Sequence, residues 1–169
     1  MKLVISLLSV LSLLFFVACG GEKKAEEAAK PANPNGLTDF EMENGIGPVK
    51  EKIVLGEIDP VKVAAGEKTY NSLCAPCHKL DKRLVGPAQR YTVDRRTPEY
   101  ILNMIMNPDE MTKKHPTGKE LLAEYLAPMT NMNLTLDQAK EVLEYLRSIA
   151  KEGHEKNIVA DPVFKNAKK

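Results

Sequence analysis

The sequence predicts an all-α domain of about four short helices over residues 59–152. Three observations predict it. Helix-start signals recur along that stretch, and apolar residues follow them at a 3.6-residue period. Nowhere in it does the two-residue alternation of a half-buried strand stand out.

The first helix opens at Asp59-Pro60, an N-cap followed by proline at the first helical position. Gly66, Tyr70, Leu73, Cys74 and Cys77 then recur at helical spacing. The second opens at Thr97-Pro98. Its apolar stripe is Ile101, Leu102, Ile105 and Met106, and Asn107-Pro108 ends it. The third is signalled by the capping box Thr117-x-x-Glu120, with Leu121, Leu122, Tyr125 and Leu126 as its inner face. The fourth follows a second capping box, Thr135-x-x-Gln138. It carries Ala139, Val142, Leu143, Leu146 and Ile149 inward and stops at Gly153. Roughly ninety residues build only a small core, so a bound group at the centre would supply missing apolar mass.

The flanks differ in composition. In residues 1–18, Lys2 is the only charge and Leu3 to Ala18 is an unbroken apolar or small run, shorter than a membrane span requires. A basic start, a short apolar core and small residues before a cysteine describe an export signal. Phe16-Val17-Ala18-Cys19 resembles the lipobox of bacterial lipoproteins, with Phe16 where leucine is usual. The resemblance implies that Cys19 carries diacylglycerol and begins the mature chain, holding it to a membrane of the bacterial cell envelope. Gly20, where an inner-membrane retention signal often has Asp, points to onward sorting. Residues 19–58 then form an N-terminal linker. Gly20–Asn35 is rich in Glu, Lys, Ala and Pro and cannot build a core; a flexible chain of about 40 residues reaches roughly 30–35 Å. Lys52–Ile58 fits a short extended piece lying on the domain, which pattern alone does not distinguish from open linker. Residues 153–169 are a charged tail with one apolar cluster, Ile158, Val159, Val163 and Phe164.

Charge excludes one class of partner. The chain has 24 basic and 23 acidic residues, a formal net charge of +1, and no basic stripe for nucleic acid. The three cysteines are Cys19, Cys74 and Cys77. An odd count in an exported chain calls for an explanation. Lipid on Cys19 leaves one Cys-x-x-Cys pair and no unmatched thiol.

That pair stands in Cys74-Ala75-Pro76-Cys77-His78. Cys-x-x-Cys-His is the attachment pattern of c-type haem. Two thiols add across the vinyl groups on one porphyrin edge, and the next residue ligates the iron. One helical turn puts all three groups on one side. A zinc site would need further ligands, and His115 and His154 are poorly spaced to supply them. A thiol–disulfide site of thioredoxin type follows a strand in an α/β fold, whereas the flanks here read as helical.

From about Ala65 to Ala150 the chain resembles the class I c-type cytochromes, a fold of short helices around one covalently bound haem c. Gly66-x-x-x-Tyr70-x-x-x-Cys74 is similar to the family's first helix, where glycine permits close crossing by the last helix and an aromatic packs into the crossing. The partner surface implied is Val142, Leu143, Tyr145 and Leu146. Gly86-Pro87 matches a family Gly-Pro whose carbonyl accepts from the free nitrogen of the ligating histidine, fixing the ring and raising its basicity; as a bare dipeptide it also reads as an ordinary turn. The family's axial methionine lies in a loop six residues before the cap of the last helix. Thr135 then implies Met129, with His78 as the opposite ligand. Thr130 replaces the usual proline after it, which leaves Met132 as an alternative, with Met111 and His115 behind it. Met104 and Met106, on a helix, read as core filler. Arg95 and Arg96 read as a solvated pair, with haem propionates as alternative partners. Tyr100 sits where relatives place an aromatic near a propionate. His154 reads as exposed.

His/Met ligation raises the reduction potential and closes the iron to outside ligands. The resemblance therefore implies an electron carrier and no enzyme: redox partner proteins, a respiratory reductase or oxidase, and no small-molecule substrate. General resemblance of Gly45–Pro60 and Asn107–Leu121 to lipoprotein cytochromes of terminal reductases makes nitrous oxide reduction one setting. Two other classes are a haem-containing subunit of an oxidase or reductase and an open-site ligand sensor. The family's peroxidases carry two haem motifs and this chain has one. Sensor bundles place the motif near the C-terminus, whereas 91 residues follow His78 here.

Overall fold

The computed structural model describes residues 34–164. Among these it has seven α-helices, one π-helical turn and no strand. The helices are α1 (Asp39–Asn44), α2 (Pro60–Thr69), α3 (Thr92–Arg95), α4 (Pro98–Met106), α5 (Pro108–Lys114), α6 (Pro116–Tyr125) and α7 (Leu136–Lys156). The π turn, Tyr70–Cys74, continues α2 directly. No helix among the described residues is long and apolar enough to cross a membrane.

Three expected starts are formed. The Asp59 carboxylate accepts from the N–H groups of Val61 and Lys62, and the Thr97 hydroxyl accepts from Tyr100. Thr135 and Gln138 complete a reciprocal capping box. The α7 stripe is buried as its period requires: Ala139, Val142, Leu143, Leu146, Ile149 and Ala150 are each at most 5 % exposed. All of these but Ala150 pack with Tyr70, Ile101 and Leu102 in the main core. The α2–α7 crossing is tight because Gly66 lies against the α7 backbone. A Cβ there would sit 1.9 Å from the Glu141 carbonyl oxygen. The Tyr70 and Tyr145 rings meet beside it, centroids 5.2 Å apart.

Other boundaries differ from expectation. The capping box at Thr117 does not form, because α6 begins earlier, at Pro116, with His115 as an N-cap that gives no side-chain bond. Proline holds the residue before it extended, and His115 has ψ 131°. Leu126 is not on the inner face of α6: it turns left-handed at φ 56° and is 85 % exposed. Pro108 ends α4 but also starts α5, an element the sequence reading lacked; proline is as suited to a first helical position as to a stop. Gly153 does not stop α7. The helix runs through it to Lys156, and Asn157 at φ 52° caps the end. A Cβ at Gly153 would meet Arg90 and the Tyr91 hydroxyl, each at 2.6 Å, so the glycine makes room for them.

The folded body also extends beyond 59–152. Leu37, Ile46 and Val49, read as linker, are buried. Thr38 and Glu41 form a capping box that opens α1. The fully buried Asn103 of α4 binds this segment: its Oδ1 accepts from Val49 N–H at 2.9 Å, and its Nδ2 donates to the carbonyls of Asn44 and Val49, both at 3.0 Å. Residues 52–58 are irregular and lie on the helices. Ile53 N–H donates to Glu99 Oε1 at 2.5 Å, and Arg147 donates to the Gly56 carbonyl at 2.7 Å. After Asn157 the tail runs back across the molecule. Asp161 N–H donates to the Asp81 carbonyl at 2.9 Å, Arg83 N–H donates to Asp161 Oδ2 at 2.8 Å, and the Tyr91 and Tyr125 hydroxyls donate to the carbonyls of Ile158 and Val163. The expected export signal and Cys19 lie outside the described residues.

Candidate functional site

The π turn shapes the start of the site. Ala75 N–H reaches back to the Tyr70 carbonyl at 2.9 Å, an i→i−5 bond of the kind often found at functional positions. Both Cys77 N–H and His78 N–H then converge on the Cys74 carbonyl, at 3.0 and 2.8 Å. This tight turn gathers Cys74, Cys77 and His78. Neither cysteine is in a disulfide, and each is half-buried. Burial, followed by the neighbouring Cys77, pushes the Cys74 thiol up to about 11. The Tyr70 hydroxyl holds the His78 carbonyl at 2.9 Å.

The loop after the motif turns back on His78. Gly86 N–H donates to the Cys77 carbonyl at 3.0 Å, and a Cβ at Gly86 would lie 2.2 Å from His78 Cε1, so only glycine lets the chain pass. Pro87 follows, and its carbonyl lies 3.1 Å from His78 Nδ1. A carbonyl only accepts, so Nδ1 carries the proton and Nε2 keeps the lone pair. Burial depresses the His78 pKa, partly offset by the Pro87 bond, which keeps the imidazole neutral. Gly86-Pro87 is thus more than a turn.

These groups line a cavity of about 500 Å³, within the range of ligand and cofactor pockets. From the far side of the sequence Met129 and Met132 line it too, on the irregular segment between α6 and α7. Met129 is half-buried and Met132 is 37 % exposed. Asn131 anchors this segment by donating to the Met106 carbonyl at 3.2 Å. Leu121, Leu122 and Tyr125 of α6 and Ile101 and Ile105 of α4 give the cavity apolar walls. Met104 lines it as well, while Met106 packs on the main core and Met111 is fully buried, its sulfur accepting from Ile46 N–H at 3.0 Å.

Polar groups at one edge fit a carboxylate-bearing prosthetic group. The Tyr100 hydroxyl is buried with no hydrogen-bond partner, although its residue lines the cavity. Burial raises its pKa to about 12, so it is a donor at neutral pH. Arg95 and Arg96, read as a solvated pair, both line the cavity, and the Arg96 guanidinium stands 5.0 Å over the Tyr100 ring. A donor hydroxyl without a partner and two guanidinium groups match the needs of buried carboxylates. The thiols, the imidazole, the apolar walls and this edge therefore fit haem c.

His115 lies elsewhere. It is 2 % exposed, donates from Nε2 towards the Met42 carbonyl at 3.2 Å, and packs edge-on against Tyr100 outside the cavity lining. His154 is exposed as expected, paired with Asp94 at 2.9 Å. Sequence reasoning missed Gln89, Thr92 and Thr112 and the tail residues Ala160–Phe164, all of which line the cavity. Apart from the apolar cluster that includes Val163 and Phe164, no local pattern marks them; only the return of the chain brings them there.

Residues 63–150 match the family model "Cytochrome c". No match is found among curated proteins. Among solved structures, a cytochrome c from Rhodothermus marinus is similar at 42 % identity, over 71 % of this chain and 99 % of that one, with a TM-score of 0.63. An engineered Rhodothermus marinus cytochrome c, Rma TDE, bound to a carbene intermediate, is similar at 43 % identity, over 66 % and 96 % of the two chains, with a TM-score of 0.60. The chain belongs to the cytochrome c family, and it is a helical electron carrier that binds haem c covalently.

Proposed function

We propose that this chain is a lipid-anchored, single-haem electron carrier of the bacterial cell envelope. Cys74 and Cys77 would hold haem c by thioethers, and His78 and Met129 would supply nitrogen and sulfur to its iron. When bound, haem c supplies reversible one-electron exchange at its iron. The observation that carries this reading is one cavity collecting both thiols, an oriented imidazole and a thioether from segments about fifty residues apart.

The protein's own residues then have distinct tasks. Pro87 fixes the His78 tautomer. The α4 and α6 walls exclude water, which favours the less charged reduced state. Leu73, Val85 and Met132 are 36 %, 47 % and 37 % exposed at the cavity and offer an apolar mouth to a partner protein. The partner is a respiratory reductase or oxidase, and electrons pass at this mouth without a small-molecule substrate. The amino-terminal signal and lipid on Cys19 place the carrier on the periplasmic or outer face of a membrane.

Membrane-derived protein tests the whole reading. It should be red, with a mass increased by one haem that survives denaturation, and neither Cys74→Ser nor Cys77→Ser should keep both covalent links. Cys19→Ser should lose labelled fatty acid and leave the membrane fraction. Colourless protein whose Cys74 and Cys77 both alkylate would overturn the haem assignment.

A further inference from the structure

His78 is not the only donor at the Pro87 carbonyl. Gln89 Nε2 lies 3.1 Å from the same oxygen and 2.9 Å from His78 Nδ1. Gln89 is held there by its backbone N–H, which reaches the Lys79 and Leu80 carbonyls at 3.1 and 3.0 Å. Its amide could face either way in isolation, but its neighbours choose. Arg95 Nη2 lies 3.2 Å from Thr92 Oγ1, and an arginine only donates. The Thr92 hydroxyl donates onward, to Gln89 Oε1 at 2.9 Å. That leaves Nε2 facing Pro87, whose carbonyl only accepts. The relay Arg95–Thr92–Gln89–Pro87 thus runs from a group that only donates to a group that only accepts.

We propose that Gln89 is a positioning residue that sets the donor strength of His78 by sharing its hydrogen-bond acceptor. This rests on the haem ligation proposed above. A carbonyl bonded to Nδ1–H pushes electron density into a ligating imidazole. Gln89 takes part of that acceptor capacity and places the positive end of an amide dipole beside Nδ1. Both effects make His78 a weaker donor and favour the reduced state. The sequence holds no sign of this: Gln89 and His78 are eleven residues apart, and only the reversal at Gly86-Pro87 joins them.

The test uses the full-length, haem-loaded chain. Gln89→Met keeps the length and removes the donor. Its midpoint potential should fall, and the His78 Nδ1–H proton resonance of the reduced protein should move downfield as the Pro87 bond tightens. Thr92→Val should shift both in the same sense, while Thr92→Ser, which keeps the hydroxyl, should restore the parent values. Intact haem absorption with an unmoved potential in Gln89→Met would overturn the relay alone. An upward shift would also overturn it, because the amide would then be accepting from His78. Protein without covalent haem would overturn the ligation reading itself.

Discussion

At Gly66 and Gly86 the chain passes its neighbours closer than any side chain permits. At Gly66 the opposing atom is a carbonyl oxygen of α7, part of a rigid helix that cannot step aside. Gly66→Ala must push α2 away from the core, and overpacking of this kind costs about 1–3 kcal/mol. A lowered Tm is expected; an unchanged thermal melt would show that the crossing is looser than the geometry states. Gly86 does the same beside the His78 ring. The proposed methionine ligand is tested at this scale too. Met129 is the more shielded of the two that line the cavity loop, while Met132 is 37 % exposed. Met129→Ala should abolish the weak far-red band of Met-ligated ferric haem and let the reduced protein bind carbon monoxide rapidly. Met132→Ala should do neither, and the reverse pattern would transfer the ligand to Met132.

Elements are joined here by buried polar side chains more than by loops. Asn103 alone satisfies backbone groups at Asn44 and Val49, so it fastens the amino-terminal segment to α4. Asn103→Leu leaves those groups unpaired, at about 1–3 kcal/mol for each buried group abandoned. Hydrogen exchange should show residues 44–49 opening well before α7; uniform protection would contradict this role. His115 joins α5 and α6 to the same segment. Burial pushes its pKa below the ordinary 6.5, against the opposing bond to Met42, with Arg96 adding to the shift and Glu120 resisting it. The unfolded chain therefore takes up a proton first as pH falls. Stability is full above about 6.5, declines from there to the depressed folded value, and then levels. His115→Gln should flatten that decline in urea melts of the haem-loaded protein. A slope unchanged by the substitution would assign the acid sensitivity elsewhere.

Across the whole molecule, the cavity is closed by parts of the chain that neither resemble nor adjoin the motif. The tail from Ile158 to Phe164 is tied to the loop after His78 through Asp81 and Arg83, and to α6 through Tyr125. Arg83 strengthens this corner by lying 4.0 Å over the Tyr125 ring and bonding Glu124. Arg90, 5 % exposed, binds Asp81, Glu152 and the Ile149 carbonyl and so fixes the same loop to α7. Truncation after Asn157 should leave the helices intact but admit water to the cavity, which lowers the midpoint potential by favouring the charged oxidised state. A truncated protein with the full-length potential would place the tail outside the site's control.

By itself, the sequence determined the all-α class, the starts of α2, α4 and α7, and the grouping of two thiols with an imidazole in one turn. Each of these is written in residues within a few positions of one another, or in a period that one helix imposes. Tertiary structure decided what local signals leave open. Gly153 lies inside a helix, and its missing side chain leaves room for Arg90 and Tyr91, some sixty residues earlier. Residues 37–58 fold because Asn103 and Glu99 supply the partners their backbone lacks. Arg95, Arg96, Gln89 and the tail belong to the cavity because the chain turns back towards it, and a contact made by reversal has no spacing to read.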